Sequence, residues 1–188
     1  MNKILKLLVF SDIFIFTGFG FIAPILSIFI NDNLQGGTIL AAGIASGIFL
    51  ITSSVLQIIF SYIFNPKDRY WMLIFGTIFI VLVPFGYIFS KNIWHIFIVQ
   101  FIYGLGAGFA YPSWYSLFSS HLEKGKRGFQ HSVYYSSVGI GSAITAGVGA
   151  WIAEKIGFEF VFVFAGILSI IGLLILFRLN KKELLKKY

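Results

Sequence analysis

The sequence contains no cysteine and few charged residues. The missing cysteines exclude a disulfide framework, a thiolate nucleophile and a cysteine metal site. Charged residues make up 11% of the 188 positions, whereas soluble domains carry about 25%. Hydrophobic residues make up 58%, and the chain has 23 phenylalanines. This composition predicts an integral membrane protein rather than a water-soluble domain.

Groups suited to catalysis or to cofactor binding are also scarce. The three histidines, His95, His121 and His131, lack the i, i+4 spacing of a metal site. No nucleophile–base pair is evident, and the glycines of 104–108 lie too deep in an apolar run for a dinucleotide-binding loop. The sequence therefore predicts no enzyme activity, no cofactor and no metal.

Long apolar segments fill the chain instead. Six are predicted, at about 4–30, 38–64, 70–89, 93–118, 129–153 and 158–179. Each is long enough to cross a hydrocarbon core of about 30 Å at about 1.5 Å per residue. The first lacks a small-residue cleavage site after a short core, so we interpret it as an uncleaved span. We therefore predict one six-helix transmembrane domain over 1–188, a multi-pass protein in the lipid bilayer of the cell membrane.

Positive charge is concentrated in alternate breaks between the spans. If both termini are cytoplasmic, twelve of the 14 Lys and Arg residues lie inside, and only Lys91 and Lys155 lie outside. Cytoplasmic loops of membrane proteins carry such an excess. The asymmetry predicts an N-in, C-in orientation. It also accounts for the net charge of +7 without a nucleic-acid partner.

A glycine–proline element occurs twice. The segment Gly18–Pro24 matches Gly106–Pro112 at both glycines, the phenylalanine and the proline, with an offset of 88 residues that also pairs Asp12 with Gln100. Such glycines let neighbouring helices approach closely in a bilayer. Span 1 runs outward and span 4 inward, so the copies are inverted, as in transporters built from three-plus-three repeats. Two independent packing motifs are the alternative.

The same stretches resemble the N-terminal six-helix half of the major facilitator superfamily. The segments Tyr103–Gly108, Pro112–Trp114, Lys126–Gly128 and Gly139–Ala143 follow the order and spacing of that family. The resemblance implies an all-α membrane fold with a three-plus-three inverted repeat. It also implies transport of a small solute by alternating access. The family usually has twelve helices, which implies a homodimer or a second six-helix half as partner.

Two motifs depart from the family pattern. In the loop between spans 2 and 3, Asn65 replaces a carboxylate and Asp68 a glycine, and only Arg69 is a clear match. These three residues are the candidates for a gating loop. In span 4, the stretch Gln100–Gly104 lacks the arginine and one glutamine of many proton-coupled members, which weakens a prediction of proton antiport.

Asp12 is the one acidic residue clearly inside a span, about 12 Å from Ile4 at about 1.5 Å per residue. A carboxylate there costs free energy, so it is either a proton- or cation-responsive site or a carboxyl hydrogen-bonded to a neighbouring helix near the interface. Polar and aromatic side chains at helical spacing are candidates for lining a solute cavity, or else form ordinary helix contacts: Gln57, Gln100, Tyr103, Tyr111, Trp114 and Tyr135. A small-residue stripe at Gly139, Ala143, Ala146 and Ala150 predicts helix packing.

The sequence as a whole predicts a transporter of a small solute, and its aromatic side chains favour apolar or cationic compounds. Efflux of such compounds is what the resemblance to the family's drug exporters implies. The alternative is a non-transporting membrane subunit, or a truncated fragment that only packs with other helices.

Overall fold

The computed structural model describes residues 3–184, except for the side chains of residues 66, 182 and 183. This part of the chain forms eight α-helices: α1 (Lys3–Ile22), α2 (Leu26–Asn33), α3 (Ile39–Ile63), α4 (Arg69–Ile88), α5 (Ile93–His121), α6 (Arg127–Lys155), α7 (Phe158–Phe177) and α8 (Lys181–Leu184). A 3₁₀ turn, Pro66–Asp68, precedes α4. All except α2 and α8 are long and apolar enough to cross a membrane. The predicted all-α fold with six spans is confirmed.

The first predicted span, 4–30, is interrupted in the structure. Helix α1 ends at Ile22, and residues 23–25 form a turn before α2. Pro24 explains the interruption, because proline lacks the N–H needed to continue a helix and its ring clashes with the preceding turn. Pro112, its counterpart in the repeat, lies inside α5 without ending it. The repeated proline thus has different effects in the two copies.

Helices α1 and α5 hold equivalent places in the bundle. Helix α1 packs along α7 and α6, whereas α5 packs along α4 and α3. Helices α4 and α7 contact each other, and α1 contacts α5 only over a short stretch. Exchanging the first three spans with the last three reproduces this pattern of neighbours. The packing is therefore the three-plus-three arrangement predicted from the repeat.

The repeated glycines explain how the two copies reach these neighbours. A Cβ atom at Gly18 would lie 2.8 Å from a carbonyl oxygen of α7, and one at Gly106 would lie 2.8 Å from a carbonyl oxygen of α4. A Cβ atom at Gly20 would lie 2.8 Å from a Cα atom of α6, and one at Gly108 would lie 2.6 Å from a Cβ atom of α3. Each glycine of the first copy thus contacts one helix, and its counterpart in the second copy contacts the helix that is equivalent under the repeat.

The two ends of the bundle have different chemistry. At one end, the loops after α2 and α4 are joined: the Gln35 N–H donates to the Lys91 carbonyl at 3.2 Å, and the Ile93 N–H to the Gln35 carbonyl at 3.1 Å. At the other, which we call the basic end, Leu184 lies in one buried cluster with Leu5. The described cations of the basic end are Lys3, Lys6, Lys67, Arg69, Lys124, Lys126, Arg127, Arg178 and Lys181. Three further cations were predicted to be inside: Lys186 and Lys187 lie outside the described residues, and so does the side chain of Lys182.

The natural absence of cysteine allows a direct test of orientation. Gln35 and Lys124 are exposed at opposite ends of the bundle. If the basic end is cytoplasmic, a membrane-impermeant maleimide added to intact cells should label Gln35→Cys and leave Lys124→Cys unlabelled. Labelling after permeabilisation controls for reactivity. Labelling of Lys124→Cys in intact cells would show the opposite orientation.

The glycine contacts predict a matched pair of destabilising substitutions. Gly18→Ala and Gly106→Ala should each lower the free energy of unfolding by about 1–3 kcal/mol, because the new methyl group meets backbone oxygen. Gly128→Ala is the control, since a Cβ atom there has no neighbour within 4 Å. Denaturant titration in detergent micelles measures the differences. Stabilities equal to that of the control would contradict the close packing.

Candidate functional site

Asp12 lies where three helices meet. It is 9% exposed, and its Oδ2 accepts a hydrogen bond from the hydroxyl of Tyr134 on α6. The Trp114 indole N–H on α5 donates to the Leu8 carbonyl of α1 at 3.4 Å, and the Trp114 ring lies 4.6 Å from that of Tyr134. A buried carboxyl group needs such a partner, because an unpaired one is costly. Asp12 thereby joins α1 to α6 beside an aromatic contact with α5.

A small cavity lies beside the Asp12 side chain. Its volume is about 20 Å³, room for about one water molecule. The hydroxyl groups of Ser11 and Thr77 in its wall donate to carbonyls of Gly172 and Leu73. The candidate residues that line this Asp12 cavity are Asp12, Tyr103, Tyr111 and Trp114. The site thus combines a buried carboxyl with phenol and indole groups.

A larger pocket lies on the far side of Tyr103. This Gln100 pocket has a volume of about 280 Å³ and is lined by residues of α1 to α5. The Tyr103 ring is stacked between Phe19 at 4.8 Å and Phe49 at 4.2 Å. Gln100 is 4% exposed, and its Oε1 has no hydrogen-bond partner. A buried unpaired oxygen is unusual and marks a place where a bound group could donate.

A third cavity, of about 390 Å³, lies at the end opposite the basic end and includes Ser90 and Glu159 in its wall. The three cavities share side chains. Phe19 and Tyr103 line both the Asp12 cavity and the Gln100 pocket, and Tyr87 lines both the Gln100 pocket and this outer cavity. The cavities therefore form a line along α1 and α2, divided by aromatic side chains.

Two candidate cavity residues lie apart from this line. Gln57 faces a separate surface groove between α3 and Pro112. Tyr135 is 54% exposed and lines none of the four cavities; its ring stacks on His131 with centroids 6.1 Å apart. The structure thus brings together four of the six candidates, in two cavities divided by Tyr103.

The three residues of the candidate gating loop bond to one another and to α5. The Asn65 N–H donates to Asp68 Oδ2 at 3.2 Å, and the Asp68 N–H donates to the Asn65 carbonyl at 2.9 Å. Arg69 Nη1 donates to the Pro112 carbonyl of α5 at 3.2 Å. Asp68 therefore closes the loop on itself, while Arg69 joins the start of α4 to α5. A gating role for these residues stays a prediction.

Three further residues of the site, Tyr134, Tyr87 and Phe49, were not predicted from the sequence. Tyr134 belongs to a buried stripe on α6 that also contains Gln130, Thr145 and Gly149, and the last two face α1. That periodicity is readable in the sequence, but the adjacent stripe with Tyr135 has the same spacing. Tyr87 and Phe49 are aromatic residues among many on apolar helices, and no sequence signal distinguishes them.

Comparison with known proteins identifies the family. The model of the Major Facilitator Superfamily matches residues 8–187. The chain belongs to the Major Facilitator Superfamily. This family is one of multi-pass membrane transporters, so the prediction of a transporter family rather than an enzyme is confirmed.

Several major facilitator proteins are similar to this chain. An uncharacterized MFS-type transporter of Methanocaldococcus jannaschii is 27% identical over 158 residues, covering 84% of this chain and 40% of the relative. A multi-drug resistance efflux pump PmrA homolog of Lactococcus lactis is 24% identical, covering 86% and 40%. A crystal structure of the peptide transporter POT with sulfate has a TM-score of 0.80 and 18% identity, covering 98% of this chain and 39% of that one. The chain thus spans about two fifths of the length of these proteins.

The hydrogen bond between Tyr134 and Asp12 predicts a specific coupling. Tyr134→Phe should lower the free energy of unfolding by about 1–3 kcal/mol, because it leaves the buried carboxyl without this donor. In an Asp12→Ala background the same change should lower the free energy of unfolding by less. The difference, which is the coupling energy between the two residues, should be about 0.5–3 kcal/mol. Tyr135→Phe, at the exposed neighbouring position, should stay within about 0.5 kcal/mol.

Denaturant titrations of the four variants of this cycle in detergent provide the measurement. If Tyr134→Phe costs no more than Tyr135→Phe, the hydrogen bond does not stabilise the fold.

Proposed function

We propose that this chain moves a small solute across the cell membrane by alternating access. The solute binds in the Gln100 pocket, and Asp12 is the proton- or cation-responsive group. The observation that carries this proposal is a pocket of about 280 Å³ with an unpaired buried amide oxygen, separated by Phe19 and Tyr103 from a buried carboxyl group. Family membership supports the transport mechanism, since members bind solute near the bilayer midplane.

A second six-helix unit completes the transporter in this proposal. Helix α3 exposes Gly43 and Gly47, and α6 exposes Gly139 and Gly147; a Cβ atom at any of these positions has no neighbour within 4 Å. Two glycines separated by three residues, as Gly43 and Gly47 are, favour close packing of membrane helices. The small-residue stripe of α6, predicted to pack, is thus available to a partner. We assign this face to a second copy of the chain or to a separate six-helix half.

Efflux of apolar or cationic compounds is the direction and solute class that we propose. A relative from Lactococcus lactis is named as a multi-drug resistance efflux pump homolog. The faces of Phe19, Phe49 and Tyr103 attract apolar rings, and those of Phe19 and Tyr103, which also border the Asp12 cavity, attract cations. Asp12 supplies the negative charge next to them.

Transport can be tested in proteoliposomes loaded with ethidium, a flat aromatic cation. An imposed pH gradient should accelerate its flux through the unsubstituted chain. Asp12→Asn should abolish that acceleration, because the amide cannot exchange a proton. Asp32→Asn is the matched control, since Asp32 is exposed at the end of α2 and should keep the full response.

An unchanged pH response in Asp12→Asn would remove Asp12 from the coupling, and no flux at any protein density would contradict transport by this chain alone. If a second copy completes the transporter, flux per chain should rise with protein density in the membrane. Flux per chain that is independent of density would contradict a reversible homodimer.

A further inference from the structure

Two buried polar side chains without hydrogen bonds line the Gln100 pocket. Gln100 is 4% exposed and its Oε1 has no partner. Tyr87 is 1% exposed, and its hydroxyl makes no hydrogen bond within the described part of the chain. Both side chains border the same space. Leaving a buried polar group unpaired costs free energy, so a bound group that donates to Gln100 Oε1 recovers that free energy.

The complementary chemistry follows from the two atoms. An amide oxygen accepts hydrogen bonds, whereas a phenol hydroxyl readily donates one. A group that satisfies Gln100 must therefore carry an N–H or O–H donor. A group that satisfies Tyr87 as well must carry an acceptor on the same fragment.

The walls of the pocket favour a flat group. The ring of Tyr103 is inclined by 21° to that of Phe19 and by 24° to that of Phe49. These nearly parallel faces form a layered aromatic wall, on which a planar ring can stack with offset geometry.

Charge is absent from the pocket wall. No Asp, Glu, Lys or Arg side chain is among the described residues that line it. Asp12 lies beyond Phe19 and Tyr103, in the adjoining cavity. An ionic group in the pocket would lose water without gaining an opposite charge, which is unfavourable. The fragment held in this pocket is therefore uncharged, and a cationic group elsewhere on the solute lies toward Asp12, beyond Phe19 and Tyr103.

We propose that the Gln100 pocket recognises a flat, uncharged fragment with adjacent donor and acceptor, such as an aromatic carboxamide or lactam. Its N–H donates to Gln100 Oε1, its carbonyl accepts from Tyr87, and its ring stacks on the aromatic wall. This assignment rests on the proposed function, which places solute in the same pocket. In it, the Gln100 pocket recognises the fragment, and the charge at Asp12 takes no part in that recognition.

The test compares two ligands that differ in one donor. 2-Naphthamide has a carbonyl and an N–H, whereas 2-acetylnaphthalene keeps the ring and carbonyl but lacks the N–H. Calorimetric titration of the chain in lipid nanodiscs should show that 2-naphthamide binds about threefold to tenfold more tightly. Gln100→Leu should erase this preference, because the donor loses its acceptor. Tyr87→Phe should weaken both ligands by a similar factor.

Matched controls keep the result interpretable. Gln35→Leu and Tyr62→Phe make the same changes at exposed positions away from the pocket and should leave both affinities unchanged. Gln100→Leu should unfold at the same temperature as the unsubstituted chain or higher, since it removes an unpaired buried oxygen. A loss of binding in that variant therefore reports recognition and not unfolding.

Equal affinities for the two ligands, or a preference that survives Gln100→Leu, would overturn the proposal. The same holds if Tyr87→Phe leaves both affinities unchanged. Ethidium flux with no ligand preference would contradict this inference while leaving transport in place. The expected pattern of affinities without any flux would support the recognition site and contradict the transport function.

Discussion

Close backbone packing around α1 and α5 is the constraint on which the rest of the structure depends. Lipid offers no hydrophobic driving force between helices, so close van der Waals contact has to hold them together. The glycines of both helices supply that contact, against α7 and α6 for α1 and against α4 and α3 for α5. Helix α1 is packed against α6 and α7, and α5 is packed against α3 and α4. Helices α1 and α5 therefore contact each other only over a short stretch. The Asp12 cavity and the Gln100 pocket lie in the space between them.

The inverted repeat also explains why the two polar sites differ in depth. Asp12 and Gln100 are equivalent under the offset of 88 residues, and both are buried on an inner helix. Since the two copies run in opposite directions, equivalent positions lie at mirrored depths. Asp12 therefore lies toward the basic end, while Gln100 lies toward the opposite end. The stacked side chain of Tyr103 lies between these two residues and is part of the wall of both cavities.

Features that depend on local composition are the most predictable from the sequence. Segment length and hydropathy give the six spans, and the glycine spacing predicts the exchange symmetry of the packing. The buried face of each helix is the least predictable feature. Tyr135 was selected, but its neighbour Tyr134 bonds Asp12. Gln57, also predicted to line a cavity, lies outside the line of cavities. On a helix that is apolar all round, periodicity does not separate lipid-facing from core-facing residues.

The sequence by itself determined the membrane class, the number of spans and the repeat, because these follow from hydrophobicity and spacing along the chain. Only the tertiary structure decided that Pro24 ends a helix while Pro112 does not. It also decided which tyrosine reaches Asp12, and that the Gln100 oxygen is left without a partner. These features depend on which helices pack side by side, and a side chain meets its partners only after distant segments of the chain have come together.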